Sequence, residues 1–300
     1  MNALVTGATG MIGTALCQRF EKNSIPHLQL SRNPSGSSKK LVYWNPEEKV
    51  LEHEKLREVD TVIHLAGENV GKRWTHNTRK KILSSRSDSS RFLFEKLAAQ
   101  DSPPKTLIAS SAIGIYGYKN STQFDEESPR GNGFLADVVE AWEESTQPLK
   151  DVGCRVILMR QGLVLSPKGG ALARMLPFFR FGLGGTLGSG QQMMSWIGME
   201  DQIRAILFFL EDDTQSGVYN LVSPKPVCNI EFTAILGWVL KRPTLFPVPA
   251  LALRAVFGEM AKQTMLASQH VIPKKLLQAG FEFKYPELEQ ALEYCLKHEN

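Results

Sequence analysis

The sequence predicts an α/β protein: a doubly wound parallel sheet with a smaller, mainly helical C-terminal lobe. Three observations carry this. Short apolar runs alternate with helical patterns through the first half of the 300 residues, a glycine-rich turn directly follows the first apolar run, and the texture changes near residue 165. Strand–helix alternation calls for right-handed crossovers and a parallel sheet covered on both faces.

The expected strands are Ala3-Leu4-Val5, Leu28-Gln29-Leu30, and residues 41–44, 61–65, 106–109 and 156–159. They are apolar at nearly every position, as a sheet buried on both sides requires. Helical patterns lie between them at 12–21, 77–99 and 134–149. Beyond Pro167 the glycines at 182–190 break the alternation and read as tight turns of a small hairpin. Helical patterns follow at 201–210, 230–240, 251–267 and 288–296. The expected division is a nucleotide-binding domain over 1–165 and a substrate lobe over 166–300, with one strand near 217–222 returning to the main sheet.

Composition narrows the class. The net charge of +4 is small for this length, and the basic clusters at Lys39-Lys40, Lys72-Arg73 and Arg79-Lys80-Lys81 read as solvated faces, so no nucleic-acid partner is expected. Cys17, Cys154, Cys228 and Cys295 are far apart and the histidines scattered, which argues against a metal site and against a disulfide framework. The N-terminus lacks a signal-peptide pattern and no apolar run is long enough to span a bilayer. A cytoplasmic protein with no membrane partner is expected.

The strongest motif is Thr6-Gly7-Ala8-Thr9-Gly10-Met11-Ile12-Gly13. Glycines let the chain turn sharply out of the strand, let a pyrophosphate approach bare backbone, and let the helix pack closely on the sheet. The helix start then aims free N–H groups at the phosphates. Gly7, Thr9, Gly10, Met11, Ile12 and Gly13 are therefore expected to bind a dinucleotide in a Rossmann-type domain. An NAD enzyme places Asp or Glu at the end of the second strand to hold the ribose hydroxyls. This chain reads Leu30-Ser31-Arg32-Asn33 there. Ser31 can donate to a 2′-phosphate, and Arg32 can grip it as a fork, with Lys39 and Lys40 adding charge. NADP(H) is expected over NAD(H).

The chain resembles an extended short-chain dehydrogenase/reductase of the sugar-nucleotide epimerase/dehydratase type. It is most similar to an atypical branch labelled "epimerase family protein", whose members have also been called nucleoside-diphosphate-sugar epimerase and cell-division inhibitor. The residues that carry this are the Thr6 to Gly13 loop, His64-Leu65-Ala66-Gly67-Glu68-Asn69, Lys72-Arg73-Trp74 and Ser85-Arg86. Further along they are Ser110-Ser111-Ala112-Ile113-Gly114-Ile115-Tyr116-Gly117, Trp142-Glu143, Gly169-Gly170-Ala171 and Ser195-Trp196-Ile197. At the tail they are Gly258-Glu259-Met260, Val271-Ile272-Pro273 and Ala279-Gly280-Phe281. The resemblance implies that Leu65, Ala66 and Gly67 lie against adenosine and ribose; Glu68 follows that strand at its carboxyl end, where ligands bind in open α/β sheets, and it and Ser110 are expected on the cofactor's side. It implies that Arg86 faces the cofactor and that Ser111 holds substrate near the nicotinamide. Four residues separate Ser111 from Tyr116, where the family has three. A small-molecule substrate such as a nucleotide sugar, and a homodimer, are further implications.

One departure is chemical. Short-chain dehydrogenases carry Tyr-x-x-x-Lys on a helix, the lysine lowering the tyrosine pKa and the tyrosine moving the proton. None of the tyrosines at 43, 116, 118, 219, 285 and 294 has a lysine four residues on. Aligning Trp142-Glu143 with the family puts Leu135 and Val139 at the two positions. Gly198 also stands where the branch generally has histidine. Tyr116 is the nearest alternative acid–base group, with no neighbouring cation evident. His64 reads as a core histidine and Asp125-Glu126-Glu127 as a solvated loop. Arg160 and Arg174 fit an anionic substrate or ordinary ion pairs. Two functions remain: an NADP(H)-dependent oxidoreductase or epimerase-like enzyme, and a cofactor-binding sensor without redox chemistry.

Overall fold

The computed structural model describes residues 1–33, 40–118 and 122–298. Lys39 lies outside them. The first half runs β1 (Ala3–Thr6), α1 (Met11–Lys22), β2 (His27–Ser31), β3 (Leu41–Asn45), β4 (Val50–Leu51), β5 (Thr61–His64), α2 (His76–Ser84), α3 (Asp88–Ala98), β6 (Thr106–Ala112), β7 (Gln123–Phe124), α4 (Phe134–Glu144), α5 (Gln147–Asp151) and β8 (Arg155–Gln161). The second half runs β9 (Leu163–Leu165), α6 (Gly170–Arg180), β10 (Met193–Met194), β11 (Trp196–Gly198), α7 (Met199–Glu211), β12 (Gly217–Leu221), β13 (Val227–Cys228) and α8 (Asn229–Leu240). It closes with α9 (Ala250–Phe257), α10 (Glu259–Gln263), β14 (His270–Val271), α11 (Lys274–Gln278) and α12 (Leu288–Lys297).

Eight strands form the main sheet in the order β12-β8-β6-β5-β1-β2-β3-β4, parallel except for the β3–β4 edge. Alternation along each strand sends side chains to opposite faces. Ala3 and Val5, with Ile63, Ile108, Ile157 and Met159, pack under Leu16, Phe20, Ile206 and Phe209 of α1 and α7. Leu4, Val62, Leu107 and Leu158 pack on the other side with Leu93, Leu97 and Leu149 of α3 and α5. A separate core of the C-terminal lobe joins Leu165, Leu172, Trp196, Phe232 and Leu292.

Three expected helices are each broken in two. The span 77–99 parts between α2 and α3, where Ser85 and Ser87 donate to the carbonyls of Ile82 and Leu83. Short hydroxyl side chains compete with the helical ladder in this way. The span 134–149 parts where Ser145 and Thr146 donate to Trp142 O and Glu143 O, and a proline starts α5. The span 251–267 parts at Gly258, whose φ of +63° only glycine adopts cheaply. The glycine-rich 182–190 stretch is not a hairpin. It runs beside residues 242–248, with Leu187 bridging Val248 and Gly185 so close to Phe246 O that a Cβ would stand 1.9 Å away.

The C-terminal segment returns to the main domain. β14 pairs with β7 in parallel. Lys274 binds Asp125 at 3.1 Å and Glu127 at 2.6 Å, while Glu126 accepts from the N–H groups of Asn220 and Lys275. The carboxylates expected in a solvated loop are therefore the clamp for this segment, which the sequence could not show because the partner lysine is 149 residues away.

Candidate functional site

The glycine turn has the form a phosphate cradle needs. Gly7 sits at φ +65°, and a Cβ there would come within 2.8 Å of the Leu65 carbonyl. A Cβ on Gly13 would stand 2.2 Å from Gly7 O, so α1 can lie this close to the turn only without one. Gly10 N donates to Gly7 O at 2.9 Å and caps α1, whose first turn has neither a side-chain cap nor an acidic residue. Its leading N–H groups and partial positive charge are left for an anion, which is the fit a pyrophosphate requires. Thr9 and Gly10 are exposed, Met11 and Ile12 half-buried. Gly169 and Gly170 lie directly over Met11, bringing the start of α6 to the same edge.

Beneath the turn, Thr6 Oγ1 accepts from Leu65 N at 3.1 Å and Ala66 N at 3.2 Å. Its own proton then goes to His64 Nδ1, 2.9 Å away, so the proton on His64 sits at Nε2 and reaches Ser90 Oγ at 2.8 Å. Burial, with Arg86 adding to it, pushes the His64 pKa down to about 3. His64 is a neutral, satisfied core histidine that fixes the strand end from which Leu65, Ala66 and Gly67 project.

Gly67 faces the Arg86 guanidinium, whose Cζ would be 3.1 Å from a Cβ there. Arg86 lies over the Trp142 ring at 4.8 Å and donates to Ile82 O at 3.3 Å, the one acceptor seen for it among the described residues. Burial lowers its pKa to about 10 against the opposing pull of Glu68. A guanidinium so enclosed, with most of its donors unused, suits a polar ligand at the β5 end. Glu68 pairs with Lys72 at 2.7 Å, and that bond lowers its pKa first, with Arg32 also contributing. Arg32 is exposed, and Ser31 Oγ accepts Asn33 N at 3.1 Å. Lys40 pairs with Glu21 at 3.2 Å.

At the end of β6 the two serines part. Ser110 and Ser111 are both buried, and neighbouring residues on a strand point to opposite faces. Ser111 Oγ donates to Glu143 Oε1 of α4 at 2.5 Å. Glu143 is also held by Arg160 in two bonds of 2.8 Å. Arg160 Nη1 donates to the Tyr116 hydroxyl at 3.0 Å, and Tyr116 donates to Asn220 Oδ1 at 2.8 Å. A cation thus does neighbour Tyr116, contrary to the sequence reading. Even so, burial dominates and raises the tyrosine pKa. The Arg160 charge is opposed by burial but secured by Glu143, and its pKa rises. Of the two arginines left open by the sequence, Arg160 is an ion-pair partner, and Arg174 donates to Gly71 O. Glu143 and Asn220 were missed as members of this network. Only the Trp142-Glu143 dipeptide pointed to the first, and the strand register Ser111–Arg160–Asn220 is what gathers them. Leu135 and Val139 of α4 face the turn at Gly114, their side chains 3.3 and 3.8 Å from where its Cβ would be. No cluster of His, Cys, Asp or Glu fit for a metal occurs among the described residues.

Comparison with known proteins decides the family. The NAD dependent epimerase/dehydratase family matches residues 3–221. The chain belongs to that family. Within the epimerase/dehydratase family it is similar to an epimerase family protein of Mycobacterium bovis, 40% identical over 97% of this chain and 96% of the relative. A counterpart in Staphylococcus aureus is 36% identical over 98% of each. Its fold matches the crystal structure of human epimerase family protein SDR39U1 (isoform 2) with NADPH, with a TM-score of 0.89 and 32% identity over 99% of this chain and 100% of that one. Residues 248–295 match a domain of unknown function, DUF1731, which in this epimerase/dehydratase chain supplies the clamp on Asp125 to Glu127.

Proposed function

We propose that this protein binds NADP(H) and acts as an epimerase- or reductase-like enzyme on a small molecule, with NAD(H) the weaker ligand. The observation that carries the reading is the bare N-terminus of α1 over the Gly7–Gly13 turn, with Ser31 and Arg32 at the end of β2 and no carboxylate there. NADPH in the human relative's structure supports it. Gly7, Thr9, Gly10, Met11, Ile12 and Gly13 would hold the pyrophosphate. Ser31 and Arg32 would hold the 2′-phosphate, and Leu65, Ala66, Gly67, Glu68, Ser110 and Arg86 would line the ribose side. The cofactor would supply a hydride at its nicotinamide. Ser111, its proton committed to Glu143, would accept a hydrogen bond from substrate rather than release a proton, so the proton would come from solvent or from the substrate itself. Nucleotide sugars are the first substrates to try.

A second reading, a cofactor-binding sensor without redox chemistry, is favoured by the apolar Leu135 and Val139 facing the Gly114 turn and by the engagement of both Ser111 and Tyr116. Two experiments separate the readings. Calorimetric titration should give tighter binding of NADPH than NADH; the reverse order refutes the cofactor assignment. Label transfer from 4-deuterated NADPH into a library of nucleotide sugars and carbonyl metabolites supports the enzyme, whereas tight binding with no transfer supports the sensor.

A further inference from the structure

Residues 166–199 and 240–258 contain no aspartate or glutamate, and each stretch carries three lysines or arginines. The fold brings them side by side. Arg242 Nε donates to Arg180 O at 2.9 Å, Gly188 N donates to Val248 O at 2.9 Å, and Gly182 lies against Pro243. Along this seam large apolar side chains stand in solvent: Phe178 (61% exposed), Phe181 (81%), Leu183 (55%), Leu245 (75%), Phe246 (55%) and Leu251 (79%). Lys241, Arg242 and Arg254 are exposed among them. Six such side chains present roughly 700 Å² of apolar surface, above the few hundred Å² a patch on a soluble monomer usually shows.

We propose that this face of the C-terminal lobe docks on a membrane surface carrying anionic lipid. Charge selects the occupant. A two-fold contact with a second copy would set the same patch against itself, basic on basic with no carboxylate from either stretch to answer it. An anionic lipid surface complements it. Aromatic and leucine tips enter the boundary between headgroups and acyl chains, while arginine and lysine stems lie along them and keep their charges at the phosphates. No helix among the described residues is long and apolar enough to cross a membrane, and surface docking needs none.

The test is co-sedimentation of the full chain with phosphatidylcholine vesicles, with and without phosphatidylglycerol. Binding is expected only where phosphatidylglycerol is present, and raised salt should weaken it. Phe181→Ser with Leu245→Ser, and separately Lys241→Glu with Arg242→Glu, should each lower the bound fraction about tenfold while NADPH affinity stays unchanged. The proposal falls if anionic vesicles bind no more protein than neutral ones, or if both double variants still bind. It also falls if sedimentation equilibrium finds a dimer that the serine variant dissolves, or if an acidic protein competes for the patch while anionic vesicles do not bind.

Discussion

The Arg160–Glu143 pair offers the sharpest test of the energetics. Glu143→Ala removes the carboxylate that holds Arg160 twice at 2.8 Å and accepts the Ser111 proton at 2.5 Å. Both side chains are largely shielded, at 12% and 14% exposure, so water cannot fully replace the lost partner. The guanidinium would remain charged and enclosed, its other contact the Tyr116 hydroxyl. Breaking a buried pair from one side costs about 3–5 kcal/mol, whereas replacing both partners with apolar residues of similar size is often close to neutral. Glu143→Ala should therefore lose about 4 kcal/mol, and Glu143→Leu with Arg160→Met should recover most of it, ending within about 2 kcal/mol of the parent. Urea unfolding followed by circular dichroism reads both, through midpoints at constant slope. If the alanine variant loses less than about 1 kcal/mol, or if the double variant shows the plain sum of its singles, the pair is not a coupled buried unit and the reasoning fails.

Other outcomes follow from the same structure. Arg32→Ala should weaken NADP(H) binding about tenfold to a hundredfold and leave NAD(H) nearly unchanged, measured by titration calorimetry; equal losses for both would refute the 2′-phosphate assignment. Gly13→Ala forces a Cβ to within 2.2 Å of Gly7 O and 2.8 Å of Ala8 Cα, so NADPH affinity should fall at least about a hundredfold; wild-type affinity would show that the loop is not the cradle. Burial depresses the His64 pKa from 6.5 to about 3, so below about pH 6 the unfolded chain takes up a proton that the folded chain refuses. Stability should then drop by up to about 1.4 kcal/mol per pH unit down toward pH 3, and His64→Asn should flatten that slope; an unchanged slope refutes the assignment.

How much of this a sequence can disclose depends on how local the cause is. The glycine turn was legible because Gly10 and Gly13 answer steric demands arising within eight residues and Gly7 has a positive φ of its own, and the strands because burial on both faces leaves unbroken apolar runs. The helix breaks at Ser85, Ser145 and Gly258 were local too, but a hydroxyl's choice of acceptor and one positive φ leave no mark on hydrophobic periodicity. The polar network was not legible, since Ser111, Arg160 and Asn220 become neighbours only through sheet order. Spacing nonetheless held one clue. A side chain on a strand reverses its face with a shift of one residue. Ser111 presents its hydroxyl to α4, where Glu143 holds it, and Ala112 is the residue that stands four before Tyr116. The offset serine and the apolar Leu135 and Val139 meet on one helix, because α4 carries Glu143 as well as both apolar side chains.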